Sequence, residues 1–329
     1  MRTPSALRAA VHNTPRRLVK LTVDTRFLLA WQNLHCDRSS YILQTDKQGN
    51  TSGDITFQDA NMTQTTATRL YRLPNGTGVH QTNPAETDHL YRQIYVENFY
   101  FRYGISLPQA PFVVDGGANI GLFTLYLLQR YPAARVLAVE PAPKTFRHLQ
   151  ANMAAYKGVT VRNCALGGED GQMPFMYFPN VTCASGQYDE HIIKQMESTA
   201  RSKLLENEKS GSTFRGASGQ ELLEWIIGEQ LKKEVITVPV LSLDTLIRDA
   251  GIEHIDLLKL DVEGCEYPVL AALREEHWPM IDQMVIEVHD SPVTLPRLVE
   301  ILEGRGFTLT CREEDAQFRK AFIWARREA

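Results

Sequence analysis

From Pro111 onward the chain alternates short apolar runs with amphipathic helical patterns, and this alternation constrains the fold more than any other feature. "FVVD", "RVLAVE", "VTVRNCAL", "EVITVPV", "IDLLKLDV" and "QMVIEVHD" read as strands. Helical patterns follow at Ile120 to Gln129, "PKTFRHLQANMAAY", "SLDTLIRDAG", "CEYPVLAAL" and "LPRLVEILEGRG". Strands that are apolar throughout must be covered on both faces, and helices between them supply the cover in a mostly parallel sheet. The last two runs, "FTLTCRE" and "RKAFIWARR", are separated by a short polar turn, which predicts an antiparallel hairpin at one edge.

Two regions break the pattern. Residues 1–85 are polar, with short β-like runs and turn signals at Asn50 and at Asn75-Gly76, and are expected to form a small, partly irregular N-terminal cap on a domain spanning 86–329. A second interruption, about 180–233, is charged and helical with a Gly/Ser-rich centre. An insertion of that length beside a strand end predicts a helical lid, because doubly wound sheets bind ligands at the carboxyl ends of their strands. "ETDHLYRQIYVENFYFRYGI" carries aromatic residues at helical spacing and is expected to be a helix.

Composition excludes some function classes. The net charge is -4, so no basic field directs the chain to nucleic acid or an anionic membrane. No apolar run approaches the roughly 18 residues that a membrane span needs. The five cysteines, Cys36, Cys164, Cys183, Cys265 and Cys311, never fall at C-x-x-C spacing. That argues against a disulfide framework or structural zinc and for a reducing, cytoplasmic compartment. The alternative is organelle targeting, since arginines but no acid occur before Asp24.

The turn "VVDGGANIG" joins the first strand to its helix. Gly116 and Gly117 let the backbone turn sharply and approach a ligand, and Gly121 lets the helix pack close to the sheet. Asn119 lies within the turn, and Asp115 stands at the strand end as a fixed acceptor. A dinucleotide fingerprint, G-x-G-x-x-G, cradles an anionic pyrophosphate. An acid here would repel a pyrophosphate and suits an ammonium group, which S-adenosylmethionine carries beside its cationic sulfonium. Glu140, ending the second strand, is placed to accept ribose hydroxyls. Asn163, Cys164 and Ala165, at the end of the third, are placed to meet an adenine edge.

With these residues in view the chain resembles the FkbM-family methyltransferases over roughly residues 75–327. The resemblance rests on "VVDGGANIGLFTL", "AVEPAPKTFRHLQAN", "NCALGG", "LSLDTLI", "IDLLKLDVEGCEYPVL" and "VIEVHD", in that order. It is closest to the type that O-methylates polyketide and nonribosomal-peptide intermediates, whose "FYP" and "SG" segments are similar to "FMYFPNVTCASG" here. It implies a Rossmann-like class I methyltransferase fold with a seven-stranded sheet. It also implies S-adenosylmethionine as cofactor and a small-molecule hydroxyl acceptor, free or carrier-bound.

Methyl transfer from a sulfonium to a hydroxyl is an in-line displacement aided by a positioned base. "LLKLDVEGCE" offers Lys259, Asp261, Glu263 and Glu266, and "VIEVHD" offers Glu287, His289 and Asp290. Strand alternation puts Lys259 with Asp261, and Glu287 with His289. His289 is the expected general base, because imidazole titrates near neutrality. Glu287 or Asp261 would orient it, and Asp261 alternatively faces the methionine moiety. A competing use of Asp261, Glu287, His289 and Asp290 is an oxygen-rich shell for Mg²⁺. Two rival functions stay open: a nicotinamide-dependent oxidoreductase on the same sheet, and a non-catalytic nucleoside-binding scaffold.

Overall fold

The computed structural model describes residues 70–187, 232–289, 291–315 and 319–327, with short strand segments before residue 70 and single helical positions within 194–228. The chain divides into two compact units, Met1–Ala67 and Thr68–Ala329. In the first, Val19–Lys20 pairs with Asp54–Ile55 and Gln44–Thr45 with Thr51–Ser52, both antiparallel. The second begins with a small hairpin, Tyr71–Arg72 against Gly78–Val79. Positions 188–231 of the expected lid lie outside the described residues, apart from four single helical positions.

The aromatic segment is helical only in pieces. Helix α1 (Pro84–Tyr91) starts at the Asn83 cap, whose side chain accepts from the Ala85 N–H, with Pro84 at the first turn. A π turn, Arg92–Val96, and a 3-10 turn, Phe99–Phe101, follow. The break falls at Asn98, with φ 49°, which Tyr126 and Arg130 hold through hydrogen bonds to its Oδ1.

Then come β1 (Phe112–Gly116), α2 (Leu122–Arg130), β2 (Arg135–Val139), α3 (Pro143–Met153) and β3 (Val159–Arg162). Next are β4 (Ala165–Gly167), β5 (Gly171–Tyr177), β6 (Glu234–Ser242), α4 (Leu243–Ala250) and β7 (Leu257–Leu260). The chain closes with α5 (Glu266–Ala271), β8 (Gln283–Val288), α6 (Ser291–Gly304), β9 (Phe307–Asp315) and β10 (Lys320–Arg327).

The main sheet has seven strands in the order β9-β10-β8-β7-β1-β2-β3. The five strands from β8 to β3 are parallel, whereas β10 runs antiparallel between β8 and β9. This is the expected Rossmann-like class I methyltransferase architecture, with the hairpin at one edge. The chain steps outward from β1 to β3 and then returns to lay β7 on the other side of β1. That reversal opens a crevice at the carboxyl ends of β1 and β7.

Alternation along each strand divides the core. Val114, Leu137, Leu258 and Ile286 point to the face covered by α4, α5 and α6. Val113, Val136, Leu257 and Val285 point to the face covered by α2, α3 and the aromatic segment. Trp324 is buried on the second face and donates to the Phe99 carbonyl, and Trp278 is buried on the first.

One strand expectation is corrected. "EVITVPV" does not enter the main sheet; as β6 it sits between β4 and β5 in a separate three-stranded sheet. The reason is its one-sided pattern, with Val238 and Val240 buried while Thr237 and Pro239 are exposed. A strand with one wet face does not fit a sheet covered on both sides. The run "VTVRNCAL" likewise divides at Asn163, where the chain leaves β3 and joins the second sheet as β4.

Candidate active site

The glycine turn is built against the end of β7. Gly117 has φ +73°, and a Cβ there would lie 1.8 Å from the Asp261 carbonyl oxygen. No side chain fits, so the turn and the β7 terminus touch backbone to backbone. Gly121, with φ +89°, begins α2, and a Cβ there would meet Leu149 and Met153 of α3 at 2.8 Å. Gly116 is the last residue of β1 and is hydrogen-bonded through its carbonyl to the Asp261 N–H.

Asp115 and Lys259 are neighbours in the β1–β7 register, and both side chains are enclosed. Lys259 Nζ lies 3.1 Å from Asp115 Oδ1 and donates to the carbonyls of Gly116 (3.2 Å) and Gly117 (2.9 Å). Thr124 Oγ1 donates to Asp115 Oδ2 at 2.6 Å. The expected ligand ammonium is therefore replaced at Asp115 by an amine of the chain. The same contacts correct the catalytic expectation for Lys259: it is 2% exposed and clamps the turn. Burial alone would lower its pKa, but Asp115 and Asp261 outweigh that and raise it. The rings of Tyr100 and Phe123 lie 5.7 and 6.0 Å from the ammonium.

The ends of β2 and β3 are tied by amide hydrogen bonds. Glu140 accepts from the backbone N–H groups of Asn119 (3.0 Å) and Ala142 (2.9 Å). Burial pushes its pKa up to about 7 against those two bonds and Lys259. Each carboxylate oxygen keeps a second lone pair, so the expected ribose contact stays open in chemical terms. Asn163 donates from Nδ2 to the carbonyls of Glu140 (2.8 Å) and Pro141 (3.0 Å), holding the two strand ends together. Cys164 and Ala165 beside it are buried, and burial lifts the Cys164 thiol to about 11.

Asn119, at φ 50°, also donates to Thr182 Oγ1 at 3.1 Å. Thr182 in turn donates to Glu86 Oε1 at 2.7 Å, and the Thr182 and Cys183 N–H groups donate to the same carboxylate. Glu86 therefore does not cap its own helix, a task Asn83 performs. It anchors the segment that leaves β5 toward the insertion. Gln187, farther along that segment, donates its N–H to the Glu263 carbonyl and accepts from the Cys265 thiol.

The carboxyl ends of β7 and β8 carry the densest charge. His289 is buried, with Nδ1 2.8 Å from Glu266 Oε1, and Nε2 2.9 Å from Glu263 Oε2 and 3.6 Å from Glu287 Oε1. Burial opposes its charge, but the carboxylates of Glu263 and Glu266 outweigh both burial and Lys320, and its pKa is raised well above the usual value. This geometry runs against the expected neutral imidazole base: carboxylate oxygens lie 2.8 and 2.9 Å from the two ring nitrogens and favour the cation, with Nδ1 hydrogen-bonded and Nε2 in ion-pair contact without hydrogen-bond geometry. Asp261 is the acid of this cluster with most access to solvent, its side chain 24% exposed. Burial and then Glu287 raise its pKa, while Lys259 at 3.7 Å lowers it.

The expected pairings along the strands, Lys259 with Asp261 and Glu287 with His289, are both present. Asp261, Glu287 and His289 bring one ligating atom each within 4.8 Å of one another, the spacing a metal ion would need. Asp290, the fourth expected ligand, lies outside the described residues. Lys320, which the sequence reading missed, enters this group with Nζ 2.7 Å from Glu287 Oε1. Tyr100 and Thr182 were missed as well. Only strand order could have revealed Lys320, whereas Thr182 sits inside "FMYFPNVTCASG".

Comparison with known proteins places these residues in context. A family model described as the methyltransferase FkbM domain matches residues 115–309. Over 246 residues the chain is 34% identical to 31-O-demethyl-FK506 methyltransferase FkbM of Streptomyces tacrolimicus, covering 74% of this chain and 90% of that protein. It is also 34% identical over 255 residues to methyltransferase sdnD of Sordaria araneosa, covering 74% and 91%. The AMB antimetabolite synthetase AmbE of Pseudomonas aeruginosa is 34% identical over 250 residues, which make up 74% of this chain and 12% of that protein.

Proposed function

Because the chain belongs to the FkbM methyltransferase family, we propose that it transfers a methyl group from S-adenosylmethionine to a hydroxyl of a small metabolite, sugar or polyketide-like acceptor. The observation that carries this reading is the charge of the crevice. Asp115 is offset by Lys259; Glu140 and Asp261, partly ionised near neutrality, together with Glu263, Glu266 and Glu287 outnumber Lys320 and the imidazolium of His289. A crevice with excess carboxylate suits a sulfonium and an ammonium and repels a pyrophosphate. The same charge weighs against a nicotinamide dinucleotide.

When bound, S-adenosylmethionine supplies a methyl on cationic sulfur, and in-line attack forms the C–O bond as the S–C bond breaks and its electron pair stays on sulfur. The chain's residues then divide the work. Glu140 is assigned to the ribose hydroxyls, and Asn163, Cys164 and Ala165 to the adenine edge. Gly116, Gly117, Asn119 and Gly121 give the backbone its close approach, and Asp115 holds that turn through Lys259. Asp261 is assigned to receive the acceptor proton: it is the acid of the cluster most open to solvent, and its raised pKa brings it closer to neutrality. His289 and Glu287 hold the surrounding acids in place.

The relatives' names support oxygen as the nucleophile, since one is a 31-O-demethyl-FK506 methyltransferase. The match to a short part of a synthetase supports a carrier-bound acceptor as well as a free one. Two measurements test the reading. Calorimetric titration with S-adenosylmethionine and its demethylated product should show one site each, and NADH should give no heat. Incubation of the protein and donor with metabolite extracts should yield a product heavier by one CH₂. Absence of binding by well-folded protein would overturn the proposal.

A further inference from the structure

The β7–β8 carboxylates have the spacing of a cation site, and a cation already reaches them from a third strand. Lys320 is the first residue of β10, which runs antiparallel to β8 with Val288 opposite Ala321. An antiparallel strand starts where its neighbour ends, so Lys320 arrives at the carboxyl rim, one residue beyond that pair. There Nζ lies 2.7 Å from Glu287 Oε1 and 3.7 Å from Glu263 Oε1, and the side chain is 31% exposed. Glu287 also belongs to the grouping with Asp261 and His289 whose ligating atoms lie within 4.8 Å of one another. Carboxylates held that close repel one another, so the pairing of Asp261 with Glu287 needs counter-ions.

We propose that Lys320 is the built-in counter-ion of this acid group, a positioning residue that holds Glu287 and keeps a divalent metal off the carboxylates of Asp261 and Glu287. It deepens the methyl-transfer reading and rests on it for its functional meaning, while its geometry stands independently. The ammonium reaches Glu287 at 2.7 Å, and a divalent ion bound there would have to displace it. Hard divalent cations prefer carboxylate oxygens, so removing the amine converts the group into a metal site.

The test compares Lys320→Met and Lys320→Arg with the parent chain, using Mn²⁺ alone as probe and binding read by electron paramagnetic resonance. All proteins carry His254→Ala, because His254, Asp256 and Asp282 form a second grouping within 4.8 Å that would bind the probe independently. Lys320→Met should gain one Mn²⁺ site at least ten-fold tighter than any in the parent, and adding Glu287→Gln should abolish it. Lys320→Arg, which retains the charge, should stay like the parent. Equal Mn²⁺ binding by Lys320→Met and the parent would overturn the proposal. If Lys320→Met fails to fold, the parent decides: its melting temperature should be the same in Mn²⁺ and in EDTA. A rise with Mn²⁺ that Glu287→Gln removes would show metal binding despite Lys320 and would also overturn it. S-adenosylmethionine calorimetry on the parent runs alongside, so a failure of the methyl-transfer reading is seen separately from the Mn²⁺ result.

Discussion

Glu140 allows a quantitative check on the electrostatics of the crevice. Its carboxylate is 7% exposed and accepts two backbone N–H groups, and burial moves its pKa from 4.5 to about 7. Between those values the folded chain holds a proton that the unfolded chain has lost. The associated stability is therefore complete below about pH 4.5 and is lost as pH rises through about 7. At 1.36 kcal/mol for each pKa unit the full effect is about 3 kcal/mol. Roughly 2 kcal/mol of it falls between about pH 5 and pH 8. Glu140→Gln removes the titration. The amide keeps one acceptor oxygen and turns an NH₂ toward the other backbone N–H, a pH-independent cost of about 1–3 kcal/mol. The variant should thus be weaker than the parent at pH 5, and the gap should close as the pH approaches 8. Urea denaturation across this range, plotted as the difference between the two proteins, measures it. A difference that stays constant with pH would refute the burial argument for Glu140.

Three further outcomes are expected. Gly117→Ala drives a methyl into the Asp261 carbonyl and should abolish S-adenosylmethionine binding or folding, whereas Gly171→Ala, with nothing within 4 Å, should be silent in both. Lys259→Met leaves Asp115 buried without its cation and should cost about 3–5 kcal/mol in chemical denaturation, partly recovered by adding Asp115→Asn. His289 should show the nitrogen chemical shifts of an imidazolium at neutral pH. The stability it contributes should persist above its usual titration range and be lost only as pH rises through the raised value.

Strand type and helix order were legible because burial imposes a pattern on each element separately. The apolar runs at 112–116, 135–139, 257–260 and 283–288 could be read one at a time, and so could the acids that follow them. What could not be read was any property set by which strand lies beside which. Lys259 reads as a catalytic amine until its register partner is known to be Asp115. His289 reads as a neutral base until Glu263, in the loop after β7, and Glu266, at the start of α5, close on both ring nitrogens. Lys320 opens β10 and gains its meaning only from lying across from the end of β8. The aromatic segment shows the converse limit: its spacing is helical, but Asn98 in the left-handed region divides it, and the partners that favour this, Tyr126 and Arg130, lie on α2.

The pairing of Tyr177 with Glu234 at the open end of the β5–β6 ladder gives the excursion between them fixed feet. Seen from the sheet, residues 178–233 are one long hairpin connection, and the closure entropy of such a connection grows only logarithmically with its length. Doubling it costs roughly 0.6 kcal/mol and halving it returns a similar amount. Changes of length beyond Gln187 therefore carry a small closure cost, while the contacts of Thr182, Cys183 and Gln187 and the ladder beneath keep their register.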